Sequence, residues 1–224
     1  MEILKEPHLF GNKTYKYGPD VINANTYKQI SNSRRHEIVV EEDGKWLWFA
    51  IKRNPLERFI SSFVDKCINE VSNKRFGYEI CYGCNSDVRC FVDVQLMRAR
   101  LFMKNPIYIE ETYEDRHFMP QSWFCNFEKY KNRIKIFKFE DKEGLLKNLN
   151  EITIKRGFKK DFVENLISDL FMAKTAHSTL NSEIRKKIKR QILNDKKLLR
   201  KIYNLYYIDY KTFGYRSPEP LIKQ

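Results

Sequence analysis

The feature that most constrains this chain is a short, near-continuous apolar run, Trp46-Leu47-Trp48-Phe49-Ala50-Ile51-Lys52, that stops at Arg53-Asn54-Pro55. Its length and aromatic content predict a buried strand of a parallel sheet, because such strands are covered on both faces and lose polar alternation. Asn54 offers a helix N-cap, and Pro55 has its φ preset for the first helical position. Leu56, Phe59, Ile60, Phe63, Val64 and Cys67 then recur at helical spacing. Strand, tight turn and helix are therefore predicted, with Arg53 where the strand ends. In an open parallel sheet, ligands bind beyond the carboxyl ends of the strands. A guanidinium placed there can grip a phosphate with two parallel hydrogen bonds. The positive end of the helix dipole adds to that pull, and Ser61 can add a hydroxyl donor. The same pattern also describes a capped core helix with an incidental arginine.

The rest of the chain reads as more of the same class. Residues 1–34 are polar, with weak periodicity, and predict loop plus one short helix. Residues 72–90 predict a cysteine-bearing loop, Phe91 to Met103 a helix, and 104–127 a loop. Ile134 to Phe139 alternates and predicts a second strand. Phe162, Val163, Leu166, Ile167, Leu170 and Phe171 mark an amphipathic helix capped by Asp161. A final helix is predicted from about Ser182 to Tyr207, with Ile184, Ile188, Ile192, Leu199, Ile202, Tyr203 and Tyr206 as its apolar stripe. Strands separated by helices point to an α/β fold with a parallel sheet.

The 224 residues fit one such domain, and 42% hydrophobic content is enough for a core. A formal net charge of +13 predicts a polyanionic partner. Nucleic acid, anionic lipid, sulfated glycan and nucleotide phosphate all qualify on charge. No RNA- or DNA-binding motif supports the first, which stays only as a third reading, a zinc-stapled nucleic-acid binder. No segment approaches the roughly 20 apolar residues of a membrane span, and Met1 to Phe10 has no apolar core of a signal peptide.

Phe49-Ala50-Ile51-Lys52-Arg53-Asn54-Pro55-Leu56-Glu57-Arg58-Phe59-Ile60-Ser61-Ser62-Phe63 resembles the 3′-phosphate-binding motif of the Golgi carbohydrate sulfotransferases, nearest the chondroitin 4-O-sulfotransferase type. Further segments resemble a nematode branch of that family in the same order: Asp65-Lys66-Cys67, Cys81-Tyr82-Gly83-Cys84 with Arg89-Cys90, and His117 to Cys125. Lys138-Phe139-Glu140, Thr175 to Thr179, and Asp209 to Tyr215 complete the set. The resemblance spans roughly residues 35–215. It implies a three-layer, P-loop-NTPase-like α/β sulfotransferase fold, with 1–34 as an irregular segment, 35–217 as the domain and 218–224 as a tail.

The activity it implies is transfer of sulfate from PAPS (3′-phosphoadenylyl sulfate) to a hydroxyl of a glycosaminoglycan-type glycan, such as chondroitin, in the Golgi, with no metal. Arg53 and Ser61 stand where the family binds the cosubstrate's 3′-phosphate. Nothing in Met1 to Arg35 matches the family's earlier P-loop, so the N-terminal strand, that loop and the membrane anchor are expected to be missing or degenerate. A catalytically inactive relative that binds anionic glycan through its basic surface is the alternative.

A base is needed to take the acceptor's proton, and histidine is suited near neutral pH. His117, beside Asp115 and Arg116, is one candidate; His36, which precedes the Arg53 motif, is the other. Arg116 and His177 are candidates for the acceptor side, and His8 has no such context. Cys81, Cys84 and Cys90 could hold zinc, but no second pair accompanies them, and disulfides that staple a loop suit a secretory-lumen enzyme. Cys67 and Cys125 leave an odd count, and pairing cannot be read from spacing. The last helix carries Arg185, Lys186, Lys187, Lys189, Arg190, Lys196, Lys197, Arg200 and Lys201. These predict a solvated face, or a rail for a sulfated or uronic-acid chain.

Overall fold

The computed structural model describes residues 48–70, 80–104, 112–124, 127–165, 179 and 182–218. Expectations for residues 1–47, for Leu166 to Phe171 and for Thr175 to Ser178 lie outside them. The described residues form an α/β arrangement, a small parallel sheet with mostly helices around it.

Strands β1 (Phe49–Lys52) and β2 (Lys135–Lys138) pair in parallel, with Ala50 opposite Ile136 and Ile51 opposite Phe137. The ladder extends at both ends, through Lys135 N to Trp48 O and Phe139 N to Lys52 O, each at 2.8 Å. Both strands were expected, but the burial of β1 is less than its apolar run predicts. Among the described residues each strand has only the other as neighbour, so Phe49 stays 49% exposed.

Helix α1 (Pro55–Ser62) starts as its sequence dictates: Asn54 Oδ1 accepts from Glu57 N at 3.1 Å, and Pro55 occupies the first position. It runs on into a π-helical segment, Phe63–Asn69. Its apolar side, Leu56, Phe59, Ile60, Phe63, Val64 and Cys67, is buried. Helix α2 (Val88–Lys104) meets it through Phe91, whose ring centroid lies 6.2 Å from that of Phe59. Phe59, Phe91 and Phe118 form an aromatic knot, with ring centroids 4.4 Å apart for Phe91 and Phe118 and 5.8 Å for Phe59 and Phe118. Such pairs add about 0.5–1.5 kcal/mol each beyond their burial. Tyr206 closes the knot, its hydroxyl donating to Phe118 O at 2.6 Å.

Three expectations change. The loop predicted over 104–127 contains helix α3 (Tyr113–Phe118), a short turn at Gln121–Trp123 and helix α4 (Phe127–Tyr130). Helix α3 rests on a reciprocal cap between Thr112 and Asp115, and is too short to show apolar periodicity. Helix α5 (Lys142–Lys155) was not foreseen; it buries no residue fully and so leaves little pattern. The single final helix is instead α6 (Glu183–Asn194), α7 (Lys196–Leu205) and α8 (Tyr207–Phe213). Asp195 makes the break: it leaves helical geometry and its side chain accepts from Lys197 N and Leu198 N, both at 3.0 Å, capping a new helix. Gly214, at φ 68°, ends α8 in the left-handed conformation that glycine adopts without steric cost.

Two disulfides staple the loop between the π-helical segment and α2. Cys67 pairs with Cys81, and Cys84 pairs with Cys90 in the first turn of α2. Cys81, Cys84 and Cys90 are thereby unavailable as thiolates, which removes the zinc reading. Among the described residues, no helix is long and apolar enough to cross a membrane.

Candidate anion-binding site at the end of strand β1

Arg53 leaves β1 held on its backbone. Gln121 Nε2 donates to Ile51 O at 2.7 Å, and Gln121 Oε1 accepts from Arg53 N at 3.4 Å. Glu140 Oε1 accepts from Asn54 N at 2.6 Å. Lys52 Nζ reaches Phe213 O at 2.7 Å, at the carboxyl end of α8 where a helix dipole favours a cation. Gln121 is itself fixed by Asp209. That buried carboxyl accepts from Gln121 N at 2.6 Å, Ser122 N at 2.9 Å and Ser122 Oγ at 2.6 Å. Burial pushes the Asp209 carboxyl above its ordinary range, against the pull of those donors.

The Arg53 side chain folds back along α1. Its Nη2 donates to Ser61 Oγ at 2.7 Å, and its guanidinium lies over the Phe139 ring, 4.8 Å from the centroid. Ser61 Oγ also accepts from Arg185 Nε of α6 at 3.5 Å. A hydroxyl that accepts twice keeps its hydrogen for a third partner, and an anion is the fitting one. Arg185 Nη2 donates to Glu57 Oε2, and Lys189 Nζ to Glu57 Oε1 at 2.6 Å. The charges in and around this cluster are four cations, Arg53, Arg58, Arg185 and Lys189, and two carboxylates, Glu57 and Glu140. Burial, then the nearby Arg185 charge, lowers the pKa of Arg53. For Glu57, burial raises the pKa, but the hydrogen bonds from Lys189 and Arg185 outweigh it and hold the carboxyl below its usual range. Surplus positive charge, forked donors and a hydroxyl with a hydrogen to give fit a phosphate group.

His117 stands on α3. Its Nδ1 lies 2.7 Å from Tyr113 O, and a carbonyl only accepts. The hydrogen therefore sits on Nδ1, and the neutral ring keeps a lone pair on Nε2. Burial pushes this imidazole below its ordinary pKa, so the neutral form is favoured. Arg58 of α1 binds the backbone of the same turn, through His117 O at 3.0 Å and Met119 O at 2.8 Å. One helix therefore carries Ser61 and fixes the candidate base. Arg116 is on the exposed side of α3. His36 and His177 lie outside the described residues.

Arg53 and Ser61 meet as the spacing implied. Glu57, Gln121, Arg185 and Lys189 were not foreseen as parts of this site. For α6 a signal existed: Arg185, Ile188 and Ile192 share a 3–4 spacing and are buried, whereas Ile184 is 44% exposed. The buried stripe runs through Arg185, so this arginine belongs to the inward face and not to the solvated one. Lys186, Lys187, Arg190, Lys196, Lys197 and Arg200 do remain exposed, as the basic face predicted.

A sequence model of the Sulfotransferase family matches residues 10–216. The chain therefore belongs to that family. It is similar to two Caenorhabditis elegans proteins, carbohydrate sulfotransferase chst-1 and the uncharacterized protein C18B2.2. The first is 31% identical over 167 residues, 73% of this chain and 50% of the relative. The second is 27% identical over 198 residues, 87% of this chain and 54% of the relative. The chain thus spans about half the length of the curated relatives it matches. No solved structure matches.

Proposed function

We propose that this chain binds PAPS and transfers its sulfuryl group to a carbohydrate hydroxyl. The observation that carries the reading is the convergence of Arg53, Ser61 and Arg185 at the carboxyl end of β1, within 3.5 Å of one hydroxyl oxygen. Arg53 and Ser61 would hold the 3′-phosphate, the one through a forked guanidinium and the other through its remaining hydroxyl hydrogen. When bound, PAPS supplies a sulfur that takes the acceptor oxygen while its bond to the phosphate oxygen breaks. His117, neutral and with a lone pair on Nε2, would receive the proton that the acceptor hydroxyl gives up. Arg116 and His177 are assigned to the acceptor side. The name of the chst-1 relative and the exposed basic face of α6 and α7 support an anionic glycan acceptor, of glycosaminoglycan type, with chondroitin 4-O-sulfation in the Golgi as the specific case.

The test is calorimetric titration with adenosine 3′,5′-bisphosphate (PAP). Wild type binds, and Arg53→Ala, losing a charge-assisted contact, binds roughly 10- to 100-fold more weakly. Equal affinity would sink the assignment. Heparin retention without PAP binding or sulfate transfer would leave the inactive glycan-binding relative.

A further inference from the structure

The pairing of Arg185 with Glu57 has two explanations. One is a structural ion pair that fastens α6 to α1. The other is a ligand set waiting for its anion. Three observations separate them. Arg185 splits its donors, with Nη2 on Glu57 and Nε aimed at Ser61 Oγ, the oxygen that Arg53 also touches. With Lys189 on the second oxygen of Glu57, Arg185 keeps Nε facing the site. Arg185 is also nearly buried, with 9% exposure, and sits close enough to Arg53 for the two like charges to interact. Glu57 and Glu140 offset part of that repulsion, and a bound phosphate would offset more. Glu57 is engaged by Arg185 and Lys189, while the Arg53 guanidinium donates to the Ser61 hydroxyl.

We propose that Arg185 is a further ligand of the 3′-phosphate, and that Glu57 is a built-in stand-in anion that holds Arg185 and Lys189 toward the site until phosphate shares them. The inference rests on the PAPS reading above and adds to it a residue 124 positions from Ser61. It makes α6 part of the wall that selects a 3′-phosphorylated nucleotide. Its signature is opposite signs on the two partners of one ion pair. Removing Arg185 removes a donor to phosphate; removing the charge of Glu57 removes a competitor. A merely structural pair would give losses in both.

The experiment is calorimetry with PAP and with adenosine 5′-monophosphate, which lacks the 3′-phosphate, on wild type, Arg185→Ala, Arg185→Lys and Glu57→Gln. Arg185→Ala is expected to weaken PAP by about 10- to 100-fold and adenosine 5′-monophosphate by less than about twofold. Arg185→Lys, which keeps charge but not the fork, recovers part of the loss, and serves alone if the alanine variant does not fold. Glu57→Gln is expected to tighten PAP by about threefold or more. PAP affinity unchanged in the Arg185 variants overturns the ligand role, and weaker or unchanged PAP in Glu57→Gln overturns the stand-in role. Loss in Arg53→Ala with none in Arg185→Ala defeats this inference and leaves the PAPS reading intact. If wild type binds no PAP, that reading falls, and Arg185 is judged on inorganic phosphate by phosphorus NMR. Phosphate binding that needs Arg185 then supports its role, and binding that is absent or indifferent to Arg185 overturns it.

Discussion

Replacing Arg98 by methionine should cost this protein much of its stability, and a second replacement should return part of the loss. Asp115 is fully buried two residues before His117. Arg98, from α2, donates to it through Nε at 3.1 Å and 3.0 Å to the two oxygens and through Nη2 at 2.5 Å. Thr112 N, at 2.9 Å, and Gln95 Nε2, at 3.3 Å, are weaker supports. Methionine keeps the stem packed near Phe102, whose ring centroid lies 5.8 Å from the guanidinium carbon, and removes only the charge and donors. Breaking a buried pair from one side costs about 3–5 kcal/mol. The Arg98 side chain is 18% exposed, so water reaches the gap and about 3 kcal/mol is the expected loss. For a chain of this length that is about 6–12 °C in Tm. Asp115→Asn alone should cost about 2 kcal/mol. Together they should cost about 3 kcal/mol, not 5, because no stranded charge remains once both are neutral. Thermal and urea unfolding followed by circular dichroism would measure the cycle. Additivity within about 0.5 kcal/mol, or a Tm change under about 2 °C in Arg98→Met, would refute the reasoning.

Other outcomes follow from single contacts. Removing the Cys67–Cys81 bridge by a Cys67→Ala/Cys81→Ala pair frees a loop of sequence separation 14 and should lower stability by about 3 kcal/mol, read as a falling urea midpoint in oxidising buffer. A midpoint equal to wild type would mean that the bridge constrains nothing. His117, with its pKa pushed down by burial, should set an acidic limb of sulfate transfer below pH 6.5, and His117→Gln should abolish that limb. On the stability side, acidification below 6.5 protonates the unfolded chain first, so folding free energy should be lost as pH falls through the lower folded value, a slope missing in His117→Gln. Glu57 behaves likewise from a lower start: its contribution is complete above pH 4.5 and fades as pH falls through its depressed folded value, whereas Glu57→Gln shows no such fade.

What the sequence could say followed from how local each feature is. Arg53 and Ser61 lie eight residues apart on one strand–turn–helix, so apolar run, cap and proline announced them together. Arg185 meets Ser61 only through the packing of α6 on α1, and its charge masked the 3–4 spacing it shares with Ile188 and Ile192. The expected stripe holds at Ile188 and Ile192 but begins one position early, at the exposed Ile184 in place of Arg185. Asp195 was hidden differently. A single acidic residue between two apolar-periodic stretches looks like a surface position, and only its backbone angles show that it ends one helix and caps the next. The cysteines announced a stapled loop but not its pairing, which depends on where the chain brings Cys81 after a segment of no clear period.

Three of the scattered segments that resemble the family have a common physical reason, visible only in three dimensions. Those around Gln121, Glu140 and Asp209 act on the three peptide units from Ile51 to Asn54. The His117-to-Cys125 segment sends Gln121 to Ile51 O and Arg53 N. The Lys138-Phe139-Glu140 segment lays Phe139 against the Arg53 guanidinium and puts Glu140 on Asn54 N. The Asp209-to-Tyr215 segment holds Gln121 through Asp209, receives Lys52 at Phe213 O, and steadies Glu140 through the Tyr215 hydroxyl at 2.9 Å. None of these residues needs to touch a ligand to matter. A guanidinium can select a phosphate only if its own backbone does not drift, since charge-assisted bonds weaken steeply as donors leave line. The backbone around Arg53 is therefore held by residues from three distant stretches of sequence, which gives those three segments a shared reason to accompany the arginine.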